Sequence, residues 1–341
     1  MNKLFLKTLC LLGSVMITSL VYADVPGYHV IKKIKIGGEG GWDYVSIDSG
    51  ARRLYISRST HVVVVDIQTD KVVGDIANTQ GVHGIALASS LNRGYTSNGK
   101  ENTATIFDLK TLAVIKKVPT GKNPDAILYD PASQTVFTFN GGSKDATVFD
   151  AISGVVVSTI ALGGKPEFAA TNSKGKVFVN IENTSEVVEI DSQKDVILNR
   201  FSLKPGEEPS GMGLDALHDR VFSGCHNNLM TVLDGMSGKM IATVPIGSGV
   251  DANIFDPVTD LAFSSNGDGT LTVVKESSGT YSVAEVVQTQ LGARTMALDT
   301  LTHTIYLPTA EFAPVAKPTT DAPRPRPKPI KDTFVILVVG K

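Results

Sequence analysis

Residues 122–164, KNPDAILYDPASQTVFTFNGGSKDATVFDAISGVVVSTIALGG, divide into four short apolar runs, each stopped by a turn signal. The first (Ala126 to Tyr129) stops at Asp130-Pro131, the second (Thr135 to Phe139) at Asn140-Gly141-Gly142, the third (Thr147 to Phe149) at Asp150, and the fourth (Val155 to Ile160) at Gly163-Gly164. Runs of β-branched and aromatic residues with this punctuation predict four antiparallel strands.

The same frame recurs along the chain. WDYVSID (42–48), VHGIALA (82–88), PDAILYD (124–130), PEFAATN (166–172), PSGMGLD (209–215), VDANIFD (250–256) and ARTMALD (293–299) are successive first strands, 40, 42, 42, 43, 41 and 43 residues apart. A second-strand aromatic follows each, at Tyr55, Tyr95, Phe137, Phe178, Phe222, Phe263 and Tyr306. Third strands close on Asp66, Asp108, Asp150, Asp191 and Asp234, where a carboxylate can accept bonds from the turn backbone; Lys275 stands there in the sixth repeat. Four strands repeated at this period are a propeller blade, so the chain is predicted to be an all-β, seven-bladed β-propeller with four-stranded antiparallel blades. The seventh repeat has two ordinary strands and a third at 334–339, after which the chain stops. Its fourth strand is predicted to be residues 28–36, which precede the first repeat; closing the ring from both termini removes the open edge.

At the N-terminus, Lys3 and Lys7 lead into an apolar run at 9–20 and the small-residue pattern Val21-Tyr22-Ala23. This predicts a secretory signal peptide at 1–23 and a mature single domain at 24–341, periplasmic or secreted. No other stretch approaches about 18 uninterrupted apolar residues, so no transmembrane segment is predicted. Without Lys3 and Lys7 the formal charge goes from −2 to −4, which gives no electrostatic reason to expect nucleic acid. Cys225 is then the one remaining cysteine, so stability must come from the packed core rather than from an intrachain disulfide.

The repeated frame, as in RRLYISRSTHVVVVDIQTDKVV and QTVFTFNGGSKDATVFDAISGVVV, resembles the YVTN-repeat, or YncE-like, seven-bladed propellers of bacterial periplasms and surfaces. The resemblance spans residues 28–341 and implies architecture. The frame is also similar to the propellers of lactonases, streptogramin lyases, haem-d nitrite reductases and quinone-dependent amine dehydrogenases, which carry different chemistry on one scaffold. No C-x-x-C-H, G-x-S-x-G or H-E-x-x-H occurs.

In a propeller the first strands line the central channel, so the second residue of each forms a ring at one mouth: Asp43, His83, Asp125, Glu167, Ser210, Asp251 and Arg294. All seven are polar or charged, whereas the next residues (Tyr44, Gly84, Ala126, Phe168, Gly211, Ala252, Thr295) share no character. Four carboxylates against one guanidinium predict raised carboxyl pKa values unless a cation compensates. Asp43, Asp125, Glu167 and Asp251 are therefore candidate ligands for a divalent cation such as Ca²⁺. The second-to-third-strand loops on the same face carry Arg58, Asn98, Asn140, Cys225 with His226, and Asn266, candidate ligand-binding residues that also suit ordinary hairpin turns. His218 and His303 fall on the opposite face and are read as solvated turn residues, and Trp42 is read as an apolar plug between blades.

A proline-rich basic excursion at 313–331, with Lys317, Arg324, Arg326 and Lys328, interrupts the last blade and is expected to emerge on the ring face, as a movable cover or a docking arm. Two functional readings stay open. One is a binding module or scaffold for a small polar ligand, cation or partner protein; the other is a metal-assisted hydrolase or lyase of the lactonase kind, working through the channel carboxylates.

Overall fold

Seven four-stranded antiparallel sheets succeed one another around a ring in a computed structural model that describes residues 27–314 and 327–341. The predicted signal peptide lies outside the described residues, as do Lys317, Arg324 and Arg326 of the basic excursion. No helix among the described residues is long and apolar enough to cross a membrane.

The third blade shows the common plan: Pro124–Asp130, Thr135–Asn140, Asp145–Asp150 and Val156–Ala161, each paired with the next. The middle hairpin runs without interruption from Thr135↔Asp150 to Asn140↔Asp145. The third-strand aspartates act as turn locks: Asp150 accepts the amides of Ile152 and Ser153, and Asp66, Asp108, Asp191 and Asp234 do the same two and three residues on. All five carboxyls lie below their ordinary range: at Asp191 the Lys194 ammonium contributes most, and at the others the bonds within the turn favour the ionised form.

The last blade joins the two ends of the chain. Ala297–Asp299 is innermost, followed by Thr304–Thr309, Val335–Gly340 and, outermost, the N-terminal strand His29–Lys35. Register runs from His29↔Gly340 to Lys35↔Val335, with one irregularity at Val30/Lys32. The third-strand edge left by the C-terminus is thus covered by backbone from the other end of the domain.

Apolar packing forms no single central core. Seven buried clusters each draw side chains from two neighbouring blades, and the second-strand aromatics fill these interfaces. One face also carries polar ties between blades: Arg52 to Asp299 at 2.6 Å, His303 to Asp256 at 2.8 Å, and Thr171 and Ser192 to Asp130, both at 2.6 Å. His303 is therefore more than a solvated turn residue, because its turn holds it over a buried carboxylate of the sixth blade. His218 bonds Asp215 of its own turn at 2.6 Å.

The closing strand has one buried and one solvent-facing side, which allows a clean test. Ile34 is 3% exposed in the cluster between the last and first blades, whereas Ile31 is 46% exposed. Ile34→Ala is expected to cost about 2–4 kcal/mol, and Ile31→Ala about 0.5 kcal/mol or less, in denaturant unfolding of the domain. Equal effects would mean that the strand does not close the ring.

Candidate functional site

The innermost strands depart from regular pairing where the ring residues stand. Register shifts fall between Val82 and Ile85, Pro124 and Ile127, Pro166 and Ala169, Pro209 and Met212, and Val250 and Ala252. His83, Asp125, Glu167, Ser210 and Asp251 are thereby lifted out of the ladder, as a bulge does when it re-aims a side chain.

The backbone groups this frees are taken up by neighbouring blades. Ser97 of the second blade donates its hydroxyl to the Asp125 carbonyl, Asn180 of the fourth donates to the Ser210 carbonyl at 2.9 Å, and Ser265 of the sixth donates to that of Arg294 at 2.5 Å. Thr295 of the last blade donates to the Asp43 carbonyl at 2.7 Å, while the Asp43 amide is satisfied within its own blade, by Ser57 at 2.9 Å. Position along the ring is thus held by inter-blade hydrogen bonds as well as by apolar packing.

The mouth contains three linked groups. His83 Nδ1 lies 2.6 Å from Asp43 Oδ2 and 3.7 Å from Asp125 Oδ1. Lys165 bridges Glu167, at 2.5 Å, and Glu182. Arg294 Nε meets Asp251 at 2.7 Å, while Ser210 donates to the other oxygen of Asp251 at 2.9 Å. Arg294 also comes within 4.0 Å of Asp43. Of the four proposed metal-ligating carboxylates, Asp43 and Asp125 join His83 in a group whose ligand atoms all lie within 4.8 Å of one another. Glu167 and Asp251 are held instead by Lys165 and Arg294.

Beneath this ring Tyr44 of the first blade meets Phe168 of the fourth across the channel, with ring centroids 5.1 Å apart. Two lobes open at the mouth, sharing Arg294: one of about 490 Å³ lined by Lys165, Glu167, Ser210, His226 and Asp251, and one of about 380 Å³ lined by Trp42, Asp43, His83, Lys100 and Asn123. Gly99 makes room for His83, since a Cβ there would sit 2.9 Å from Nε2.

Five carboxylates (Asp43, Asp125, Glu167, Glu182, Asp251) share this space with three permanent cations, Lys100, Lys165 and Arg294. Burial and the charge of Asp43 raise the Asp125 carboxyl to about 6, and burial and the charge of Asp125 raise that of Glu167 to about 8. Asp251 is also raised, by burial more than Arg294 offsets. Burial opposes protonation of His83, but its bond to Asp43 and the charges of Asp125, Asp43 and Glu167 outweigh it, and its pKa rises. Burial lifts the Tyr44 phenol well above its ordinary range, with Asp125, Asp43, Glu167 and Asp251 adding to the effect.

The loop residues singled out from the sequence do not all face the mouth. His226 does, with Nδ1 3.5 Å from Glu208. Asn98, Asn140 and Asn266 are buried in their hairpins, where each side-chain amide donates twice across the turn: Asn98 to Thr103 and Thr105, Asn140 to Asp145 and Thr147, Asn266 to Thr270 and Thr272. Arg58 turns toward the seam with the last blade. Burial pushes the Cys225 thiol up to about 12, which leaves it un-ionised and a poor nucleophile. Trp42 packs on Phe312 and Phe334, at 6.0 and 5.0 Å between centroids, as a wedge between the last and first blades whose edge reaches the smaller lobe. The base of the basic excursion stands at the rim: Phe312 and Pro329 form a bridge, and Phe312 and Pro327 line the larger lobe.

Lys165, Glu182 and Tyr44 are members of the site that the sequence reading did not select. Lys165 had a signal, since it lies two residues before a ring position where other repeats carry Gly41, Gly81, Gly249 and Gly292. Compared with protein-family models and with curated proteins, the chain matches none.

The raised groups set a pH dependence of known sign. An unfolded carboxyl titrates near pH 4, so the native state holds the protons of Asp125 and Glu167 longer than the unfolded state does. That contribution is complete at low pH and is lost as pH rises through about 6 and about 8, and the raised His83 acts in the same sense. Folding stability is expected to fall between about pH 4 and 8 in urea titrations, and Asp125→Asn/Glu167→Gln should flatten the slope. A rise in stability over that range would contradict the charge crowding.

Proposed function

We propose that the protein is a binding propeller whose channel mouth takes a cation: a divalent ion such as Ca²⁺, or the cationic group of a small polar molecule or partner protein. The observation that carries this reading is that carboxylates outnumber cations in a confined mouth, so that Asp125 and Glu167 keep protons at pH values where carboxyls are ordinarily ionised. A bound cation would replace those protons and relieve the repulsion. Asp43, His83 and Asp125 would hold a metal ion, and the Lys165 and Arg294 pairs would frame the rest of the ligand. The resemblance of the repeats to YVTN-type propellers and the predicted signal peptide support a periplasmic or secreted setting.

One observation favours a second reading, a metal-assisted hydrolase or lyase. His83 and Asp43 form a 2.6 Å pair beside Asp125, whose carboxyl is raised to about 6, so a proton donor stands next to an oriented base. A bound cation would supply charge stabilisation there, and turnover of lactones that is abolished by Asp43→Asn would select this reading over simple binding.

Calorimetric titration with Ca²⁺, Mg²⁺, Zn²⁺ and a short diamine, at pH 6, 7 and 8.5, tests the proposal. Affinity for the favoured cation is expected to rise with pH as Asp125, Glu167 and His83 lose protons. Asp125→Asn/Asp251→Asn should weaken it by about tenfold or more. No heat and no thermal shift with any of the four at any pH would dismiss a cation site.

A further inference from the structure

Arg58 closes the second strand of the first blade, yet its side chain lies in the seam with the last blade and is only 3% exposed. The guanidinium stacks on Phe334, 3.8 Å from the ring centroid, and one nitrogen, Nη2, donates to the carbonyls of Glu39 at 2.8 Å and Gly37 at 3.3 Å. The other, Nη1, is buried and has no hydrogen-bond partner among the described residues. Every acceptor Arg58 has is a neutral carbonyl, and no ion pair reaches it among the described residues. A buried cation left without a counter-charge is costly, and burial alone draws Arg58 down to about 10.

This side chain lines a cavity of about 250 Å³, together with Gly38, Glu39, Gly40, Ala310, Pro329, Ile330, Lys331 and Phe334. Trp42, packed on Phe312 and Phe334, stands between it and the channel mouth. The acidic groups nearby are already engaged: Glu39 pairs with Lys331 at 2.7 Å on the exposed rim, and Asp332 accepts the Gly38 amide at 3.1 Å. Gly37 and Gly38 carry φ of +70° and +77°, the left-handed region that favours glycine, and this turns their backbone toward the guanidinium.

We propose that this cavity is an anion site, in which Arg58 binds the carboxylate of a small organic acid while Phe334, Ile330, Ala310 and Pro329 cover its short apolar body. A carboxylate supplies what the site lacks, an acceptor for Nη1 and a charge opposite to that of the guanidinium, while Nη2 stays on the Glu39 and Gly37 carbonyls. The apolar wall distinguishes an organic acid from inorganic oxyanions, which gain nothing from Phe334 and Ile330. The volume limits the acid to a few carbons, since pockets for drug-sized ligands run from about 300 to 1,000 Å³. The site is independent of the cation proposed at the channel mouth, from which it differs in blade seam, charge and lining.

The test is a titration of the folded domain with butyrate, with acetate and inorganic phosphate run alongside at constant ionic strength. Butyrate is expected to raise the melting temperature saturably, to bind more tightly than acetate or phosphate, and to shift the Arg58 Nε–Hε resonance of the wild-type protein. Arg58→Met should weaken binding by about tenfold or more, the scale of a lost charge-assisted hydrogen bond. Because Arg58 also holds the 37–41 loop, Ile330→Glu serves as the second variant: Ile330 is exposed at the rim, and a carboxylate there should repel butyrate without touching the core. Loss of binding in both variants supports the site. An unmoved Arg58 resonance, or butyrate binding unchanged in Arg58→Met, overturns it, and phosphate binding tighter than butyrate overturns the organic-acid assignment.

Discussion

Pairing of His29–Lys35 with Val335–Gly340 is the contact on which the rest of the structure depends. A blade cannot bury its two apolar faces by itself, and the seven clusters found here each need two blades. Six of those interfaces follow from continuous chain. The seventh, between the last blade and the first, forms once the two ends of the chain have met. Thr295 reaching the Asp43 carbonyl, Arg52 reaching Asp299, and Arg58 stacking on Phe334 all lie on that seam. Closure therefore sets the geometry of the channel mouth and creates the Arg58 cavity in the same step.

Aspartates at the two ends of the blades show how environment assigns different roles to one residue type. Asp66, Asp108, Asp150, Asp191 and Asp234 sit in exposed turns with two backbone amides aimed at each, and with the Lys194 ammonium on Asp191, so their ionised form is favoured. Asp125 occupies the second position of an inner strand, where the bulge turns it into a confined space beside Asp43 and His83, and its ionised form is disfavoured. The first set holds turns. The second set crowds like charges, and burial with that crowding favours the protonated carboxyl.

Arg58 and Asn98 illustrate why two positions selected together from the repeat frame meet different surroundings in the folded ring. They are equivalent in the repeat frame, each ending a second strand. Asn98 finds its partners, Thr103 and Thr105, within its own hairpin, so its role follows from local sequence. Arg58 finds Phe334 and the carbonyls of residues 37 and 39, which are not its neighbours in the repeat and arrive only through ring closure. Tyr44 and Phe168 are a similar case: each follows a ring residue at a position whose occupants share no character, and nothing local indicates that a first-blade tyrosine meets a fourth-blade phenylalanine.

The sequence by itself determined what depends on period and local chemistry: seven repeats of four strands, the buried second-strand aromatics, the aspartate turn locks, the closing strand, and the polar character of the inner-strand second position. Hydrophobic alternation and turn residues act over a few positions and repeat seven times, so their meaning survives without coordinates. Only the tertiary structure decided how the ring's charges pair. Lys165 takes Glu167 and Glu182, Arg294 takes Asp251, and Asp43, His83 and Asp125 are left as one group. The reason is physical: Coulomb energies and desolvation vary with distances of a few ångströms between side chains from different blades, and those distances are set by bulges, inter-blade hydrogen bonds and closure rather than by spacing along the chain.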